Sequence, residues 1–360
     1  MNEELRLLRK LMARQDLNRA ETAGLVATQL REDAAGWRLL AFSVAAQTKG
    51  ETLDELLGIL DGMASVTGPY PIRLPQELMD ISSSGGSGIR KINVSTLAAL
   101  VVGEPGLAVA KQSFWGISSV TGSADVLRAT GIEVPALTLP RLEQALATVG
   151  VAFLSPLFLS PELAHLGHFG QAMAANAIPV PTPYHLTVPV FTPYRLKYRM
   201  FGVNRAHQLD LFVSLFRALG LDSALAVHGM EGLDEISICG PSRLCGFRGG
   251  EPIDLILTPE QAGLASAPAA AVAPRDAASN ARDFLRIVHG VETGPKRDLV
   301  ALNSGAALYL TGRAASIAEG VEQAIARLDS GSVARKLAAL VEQVGAPDVL
   351  RHATEAALSP

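Results

Sequence analysis

From Met79 onward, short apolar runs alternate with stretches of helical periodicity, and this alternation, more than any other feature, restricts the chain to an α/β architecture. The strand-like runs are LAVA at 107–110, VAFL at 151–154, ALAVH at 224–228 and EISIC at 235–239. Helical patterns fall at 96–102, 123–130, 141–148, 207–219 and 275–289. Residues 4–65, by contrast, carry helical signals alone. Leu5, Leu8, Leu11 and Met12 recur at helical spacing, and Asn18 with Glu21 and Thr52 with Glu55 each form a capping box. GPYPIRLP at 68–75 breaks helix and reads as a linker. The proline-rich AIPVPTPYHLTVPVFTPY at 177–194 lacks the N–H groups that a central strand or a helix needs, and reads as an ordered loop or hinge crossing between the two parts. From Ser304 the chain returns to helix through SIAEGVEQAIARL and VARKLAALVEQV.

Composition narrows the function. The 360 residues leave room for two domains, and no uninterrupted apolar stretch reaches the roughly 18 residues that span a bilayer. The N-terminus is charged and helical in pattern rather than a basic segment followed by an apolar block, so a cytoplasmic protein without membrane partners is expected. A net charge of -4 gives no overall attraction to nucleic acid. The locally basic YRLKYR at 194–199 reads as a solvated loop or strand edge, with nucleic-acid binding there, aided by Arg205, as the less favoured alternative. Cys239 and Cys245 match no zinc spacing and read as buried free thiols.

Two motifs carry chemistry. SSSGGSGIRKINVST at 82–96 places a glycine-rich turn between a strand and a helix start, where backbone N–H groups and the helix dipole suit a phosphate. Ser95 and Thr96 fall where that helix begins and offer hydroxyls to a phosphate or a metal, and Lys111 adds a point charge just beyond LAVA. HGMEGLDEIS at 228–237 sets Asp234 beside Glu235 after a glycine-rich turn, a pair that binds a hard cation such as Mg²⁺. In KQSFWGISSVTGSAD, 111–125, a phosphate-like lysine and Gly/Ser/Thr tract enclose the large aromatics Phe114 and Trp115. His165 and His168 lie close in sequence without a third ligand.

The order of these pieces, from QTKGET through the Gly-Gly loop, INVST, SSVTGSADVL, VHGMEGLDEIS, LTPEQAGL and SNARDFL to LNSGAALYLTG, resembles the anthranilate phosphoribosyltransferases over about residues 5–345. The resemblance implies a small N-terminal α-helical domain, residues 1–67 joined by helices around 160–190, and a larger α/β domain, residues 68–360, with a mixed, mainly parallel central sheet. It also implies an active site at the hinge and a homodimer formed through the helical domain. The implied reaction is Mg²⁺-dependent transfer of phosphoribose from phosphoribosyl pyrophosphate to an aromatic amine. Carried over, Gly85, Gly86, Asn93, Ser95, Thr96, Lys111 and Ser119 correspond to the donor-binding positions, and Asp234 and Glu235, with Ser95, to the metal site.

Several positions depart from the family pattern. Ser83-Ser84-Gly85-Gly86-Ser87 replaces Gly-Thr-Gly-Gly-Asp, and Lys111-Gln112-Ser113-Phe114-Trp115 replaces Lys-His-Gly-Asn-Arg. The arginine that pairs with the anthranilate carboxylate falls near Ala175 or Asn176, where this chain has none. The loss removes a charge-assisted hydrogen bond of about 1.5–3 kcal/mol, so an aromatic nitrogenous acceptor other than anthranilate is expected. Gln112, Phe114, Trp115 and His185 then line the acceptor pocket, where the aromatic pair either stacks a different flat ligand or plugs the space. A catalytically silent relative that binds a ligand, a partner or nucleic acid is the alternative.

Overall fold

Capping residues fix where the first helices begin. The computed structural model describes residues 3–33, 35–68, 77–104, 106–116, 121–175 and 182–359. Helices α1 (Glu3–Met12), α2 (Arg19–Glu32), α3 (Trp37–Lys49) and α4 (Leu53–Thr67) open the chain. Asn18 and Thr52 accept from the N–H groups of Glu21 and Glu55, whose carboxylates answer in kind, so both expected capping boxes form. On α1 the residues that reach the core are Leu7 and Leu11, not the Leu5 and Met12 suggested by the spacing, which are exposed.

Strand β1 (Glu77–Ser83), α5 (Val94–Val102), β2 (Leu107–Gln112), α6 (Ser123–Ala129), α7 (Leu139–Thr148) and β3 (Val151–Leu154) follow. Helices α8 (Pro156–Leu159), α9 (Pro161–Ala175) and α10 (Pro183–Thr187) lead to β4 (Tyr198–Gly202), α11 (Leu209–Ala218), β5 (Ser223–Gly229), β6 (Ser242–Arg248) and β7 (Glu251–Leu257). Helices α12 (Ala277–Val288), α13 (Pro295–Leu310), α14 (Ile317–Asp329), α15 (Ser332–Val344) and α16 (Pro347–Leu358) complete the fold. Two compact units result: Met1–Pro71 with Ser155–Arg195, which is helical, and Ile72–Leu154 with Leu196–Pro360, which holds the sheet.

The sheet order is β3-β2-β1-β4-β5-β6-β7, parallel from β3 to β5 and antiparallel from β5 to β7. It is therefore mixed and mainly parallel, as expected. Strands β2 to β5 are buried along their whole length, which is why β2, β3 and β5 read largely as apolar runs rather than alternations, while β4 carries Arg199. After β1 the chain winds toward β2 and β3, and afterwards returns to place β4 and β5 on the other side of β1. The winding reverses between β1 and β4, and the carboxyl ends of strands at such a switch point form the usual ligand crevice of open α/β sheets.

Four sequence expectations are corrected. EISIC is not a strand: Ile236 and Ile238 are buried in an irregular segment whose Ile236 N–H donates to Asn303 Oδ1 at 3.0 Å. YRLKYR divides: residues 194–197 are an irregular stretch with Arg195 exposed, whereas its last two residues open β4 in mid-sheet and are neither loop nor edge. Arg199 and Asp80 sit 1% and 0% exposed with Arg199 Nε 3.3 Å from Asp80 Oδ2, and Lys197 pairs with Glu77. Arg199 is thus spent on a buried ion pair and Lys197 on a part-exposed one, while Arg195 and Arg205 remain exposed. Within 177–194 the prolines do not exclude helix, since Pro183 sits in the first turn of α10, where no N–H is required. Cys239 is only half-buried, although both cysteines are free thiols. Residues 69–75 of GPYPIRLP and 177–181 of the proline-rich stretch lie outside the described residues. Among the described residues no helix is long and apolar enough to cross a membrane.

Candidate functional site

The crevice at the β1/β4 switch point is built first from backbone. Beyond β1, Ser84 N–H donates to Gly202 O at 2.8 Å and Ser84 Oγ accepts from Asn204 N–H at 3.2 Å, which ties the glycine-rich loop to the end of β4. Gly85, Gly86 and Gly88 have φ of 68°, 73° and 71°, a left-handed conformation that side-chain-bearing residues rarely adopt. A Cβ on Gly85 would face open space, leaving room for a ligand against the backbone. The loop runs into α5, with Asn93 at the N-cap position, its side chain turned to other partners, and Ser95 and Thr96 in the first turn. Thr96 Oγ1 is buried without a hydrogen-bond partner.

Asn93 is itself held from behind. Its Oδ1 accepts from Asn280 Nδ2 at 2.6 Å, and the same amide reaches Thr121 Oγ1. Asn280, on α12 and 1% exposed, thereby joins the start of α5 to the segment before α6. Nothing in the periodicity of SNARDFL marks this contact, since it depends on a partner 187 residues away.

The two acids meet this loop from the irregular segment after β5. Asp234 and Glu235 are 0% and 3% exposed. Lys91, from the glycine-rich loop, places its ammonium on Asp234 Oδ1. Burial pushes the Asp234 carboxyl up, but Lys91 and the hydroxyls of Ser83 and Ser87 hold it below the ordinary aspartate value. Burial raises Glu235 to about 7 even against the nearby Lys91, with the like charge of Asp234 adding to the rise and the Ser95 N–H opposing it. Lys91 was not singled out by the sequence reading, although it stands in the quoted IRKINVST run. The structure gathers Asp234, Glu235, Ser95, Lys91 and the loop after β1 around one crevice.

Lys111 does not offer itself to solvent as a simple anion ligand. It is 3% exposed on β2, and its Nζ donates to Gln112 O at 2.7 Å. Burial lowers its pKa to about 8, opposed by Asp80 and Glu235. Asp80 Oδ1 accepts from Ser82 Oγ at 2.7 Å and Gln112 N–H at 3.3 Å. A layer of Asp80, Arg199 and Lys111 on the central strands therefore underlies the acids.

The aromatic pair has a local explanation. Phe114 N–H donates to Ser123 Oγ and Phe114 O accepts from Ala124 N–H, while Gly116 and Gly122 N–H both donate to Asp125 Oδ2 at 3.0 and 2.7 Å. This clamp lays residues 114–116 against the start of α6, and the Arg128 guanidinium covers the Trp115 ring at 4.1 Å. Gln112 is buried within β2. Ser119 lies outside the described residues. His185 belongs to the helical unit, where its Nδ1 accepts from Thr182 N–H at 3.1 Å and caps α10. Burial lowers its pKa, so it is a neutral capping imidazole at pH 7.

The glycosyl transferase family, a/b domain, has a sequence model that matches residues 75–334. An anthranilate phosphoribosyltransferase of Exiguobacterium sibiricum is 35% identical over 306 residues, covering 85% of this chain and 88% of the relative. The crystal structure of the anthranilate phosphoribosyltransferase from Thermus thermophilus superposes with a TM-score of 0.83 at 29% identity, covering 96% of this chain and 99% of that one. The Saccharomyces cerevisiae enzyme in complex with PRPP and Mg also gives a TM-score of 0.83, at 19% identity, over 95% of this chain and 97% of that one, a likeness of fold.

Proposed function

We propose that this chain, which belongs to the anthranilate phosphoribosyltransferase family, transfers phosphoribose from phosphoribosyl pyrophosphate to an aromatic nitrogenous acceptor other than anthranilate, with Mg²⁺. The observation that carries the reading is the convergence, at the switch point of the sheet, of the left-handed glycine loop, the start of α5 and the buried pair Asp234–Glu235. Gly85 and Gly86 present bare backbone to the diphosphate, and Asn93, Ser95 and Thr96 meet it at the helix start. Ser119 completes the donor set by its place in the sequence.

The acid pair fits a hard cation. Asp234 Oδ2 is buried without a hydrogen-bond partner, and Glu235, which accepts from the Ser95 N–H, is its neighbour in the chain. Among the described residues no group of three or more His, Cys, Asp or Glu side chains forms a metal cluster, so two carboxylates are the protein's anionic share. A bound Mg²⁺ supplies neutralisation of the charge that develops on the departing diphosphate. The chain's own part is to hold the diphosphate with N–H and hydroxyl donors fixed before the substrate arrives, so that no reorganisation is needed as charge develops. Lys111 acts from beneath, as a buried charge that keeps Asp80 and Glu235 in balance.

The acceptor side supports a substrate other than anthranilate. Gln112-Ser113-Phe114-Trp115 follows Lys111, Ala175 and Asn176 supply no arginine, and Trp115 is engaged by Arg128. Isothermal titration of phosphoribosyl pyrophosphate is expected to give Mg²⁺-dependent binding that the double variant Asp234→Asn, Glu235→Gln abolishes. Unchanged binding in that variant would remove the metal assignment, and efficient turnover of anthranilate would remove the acceptor assignment.

The helical unit supports a homodimer. Leu5, Trp37 and Val44 are 43%, 73% and 49% exposed, and Leu5, Leu8, Trp37 and Ala41 line one shallow apolar hollow rimmed by Glu4 and Arg38. An exposed apolar patch whose rim charges already pair with each other, Arg38 Nη1 3.4 Å from Glu4 Oε2, suits a second copy of itself. Light scattering is expected to give a dimer for the native chain and a monomer for Trp37→Glu; a native monomer would contradict this.

A further inference from the structure

Lys91 occupies a position that the proposed reaction leaves unexplained. Its side chain is 15% exposed, yet its ammonium reaches Asp234, which is 0% exposed, and lies near enough to Glu235 to interact with it electrostatically. The pair is therefore not an exposed ion pair of negligible strength. Three acids, Asp80, Asp234 and Glu235, lie among three cations, Lys91, Lys111 and Arg199. Two buried carboxylates alone would draw a divalent cation from water, whereas a carboxylate already holding an ammonium has to exchange one cation for another. Metal that arrives on a diphosphate changes that exchange, because the phosphate oxygens offer the displaced ammonium a new anionic partner in the same crevice.

We propose that Lys91 is the resident cation of this site, holding Asp234 closed to free divalent metal and releasing it to metal that arrives bound to a diphosphate. The inference rests on the phosphoribosyltransferase reading and assigns Lys91 a positioning role in it. Cation entry is then ordered, with metal and diphosphate entering together. Lys91→Met removes the competitor and leaves Asp234 open to metal alone; Lys91→Gln keeps a hydrogen-bonding side chain without the charge; Lys91→Arg keeps the charge.

The test is titration of Mn²⁺ into the full chain, with free Mn²⁺ followed by electron paramagnetic resonance, in the absence and presence of inorganic pyrophosphate, on variants whose melting confirms the fold. The native chain and Lys91→Arg are expected to bind free Mn²⁺ weakly, and Lys91→Met and Lys91→Gln at least about tenfold more tightly, the scale of a lost close charge competitor. Pyrophosphate is expected to bring Mn²⁺ into the native protein. Unchanged Mn²⁺ affinity in both neutral variants would overturn the gate and leave the phosphoribosyl reading standing. A tenfold gain in those variants with no effect of pyrophosphate on the native chain would overturn the diphosphate half of the proposal, and with it the reading on which it rests.

Discussion

Asp80→Ala is expected to destabilise the α/β unit by about 3–5 kcal/mol, the usual cost of leaving one member of a buried ion pair without its counter-charge. Asp80 and Arg199 are 0% and 1% exposed on the adjacent central strands β1 and β4, where pairing to neighbours on both sides leaves the backbone little room to let water in. Lys111 would lose the first of the charges that oppose its desolvation, so the variant strands two cations rather than one. Urea unfolding monitored by far-ultraviolet circular dichroism measures the loss. The double variant Asp80→Leu, Arg199→Met is expected to recover most of it, because an apolar pair of similar volume avoids the desolvation of both ions. A cost below about 1 kcal/mol for Asp80→Ala would mean that the pair is hydrated and not part of the core.

The same pair explains where sequence reasoning succeeded and failed. β2, β3 and β5 were legible because strands buried on both faces must be apolar throughout, and the runs at 107–110, 151–154 and 224–228 have no other good use. β4 was missed because Tyr198-Arg199 looks like surface; its arginine is tolerated only because Asp80, 119 residues earlier, comes to lie beside it. β6 and β7 were missed for a different reason. SRLCGFR and EPIDLIL flank Gly249-Gly250, both left-handed, and a Gly-Gly pair between two short alternating runs is a hairpin signal that was available. EISIC has the stronger apolar pattern, yet its isoleucines are buried without belonging to any strand.

The candidate site was legible in its backbone elements and not in its charges. Glycines that need positive φ, an Asn-x-Ser-Thr helix start and paired acids are local patterns, and Gly85, Gly86, Asn93, Ser95, Asp234 and Glu235 do assemble. Lys91, Asn280 and the Asp125 clamp are long-range or loop-specific pairings with no periodicity to announce them. Lys111 reads from the sequence as a point charge for an anion, but its burial follows only from the position of β2 between β1 and β3.

Gly202→Ala is expected to weaken Mg²⁺-dependent binding of phosphoribosyl pyrophosphate by about 100-fold, the scale of an ångström-sized misplacement of a functional group. Gly202 ends β4, paired with Ser83 on β1 and Val227 on β5. A Cβ there would stand 1.9 Å from the backbone oxygen of Asp234, where no real contact is tolerated. Its φ is not positive, so alanine meets no backbone strain and the whole effect is steric. β4 is held on both sides by parallel neighbours, whereas the segment carrying Asp234 is irregular; the segment therefore moves and the acids move with it. Overpacking of this kind costs about 1–3 kcal/mol in stability, which a large α/β unit survives. Gly240→Ala is the control, since a Cβ there meets nothing within 4 Å and both binding and melting should be unchanged. Calorimetric titration of the two variants side by side separates the outcomes: loss in Gly202→Ala alone places Asp234 at the donor, and native-like affinity in both would place the donor elsewhere.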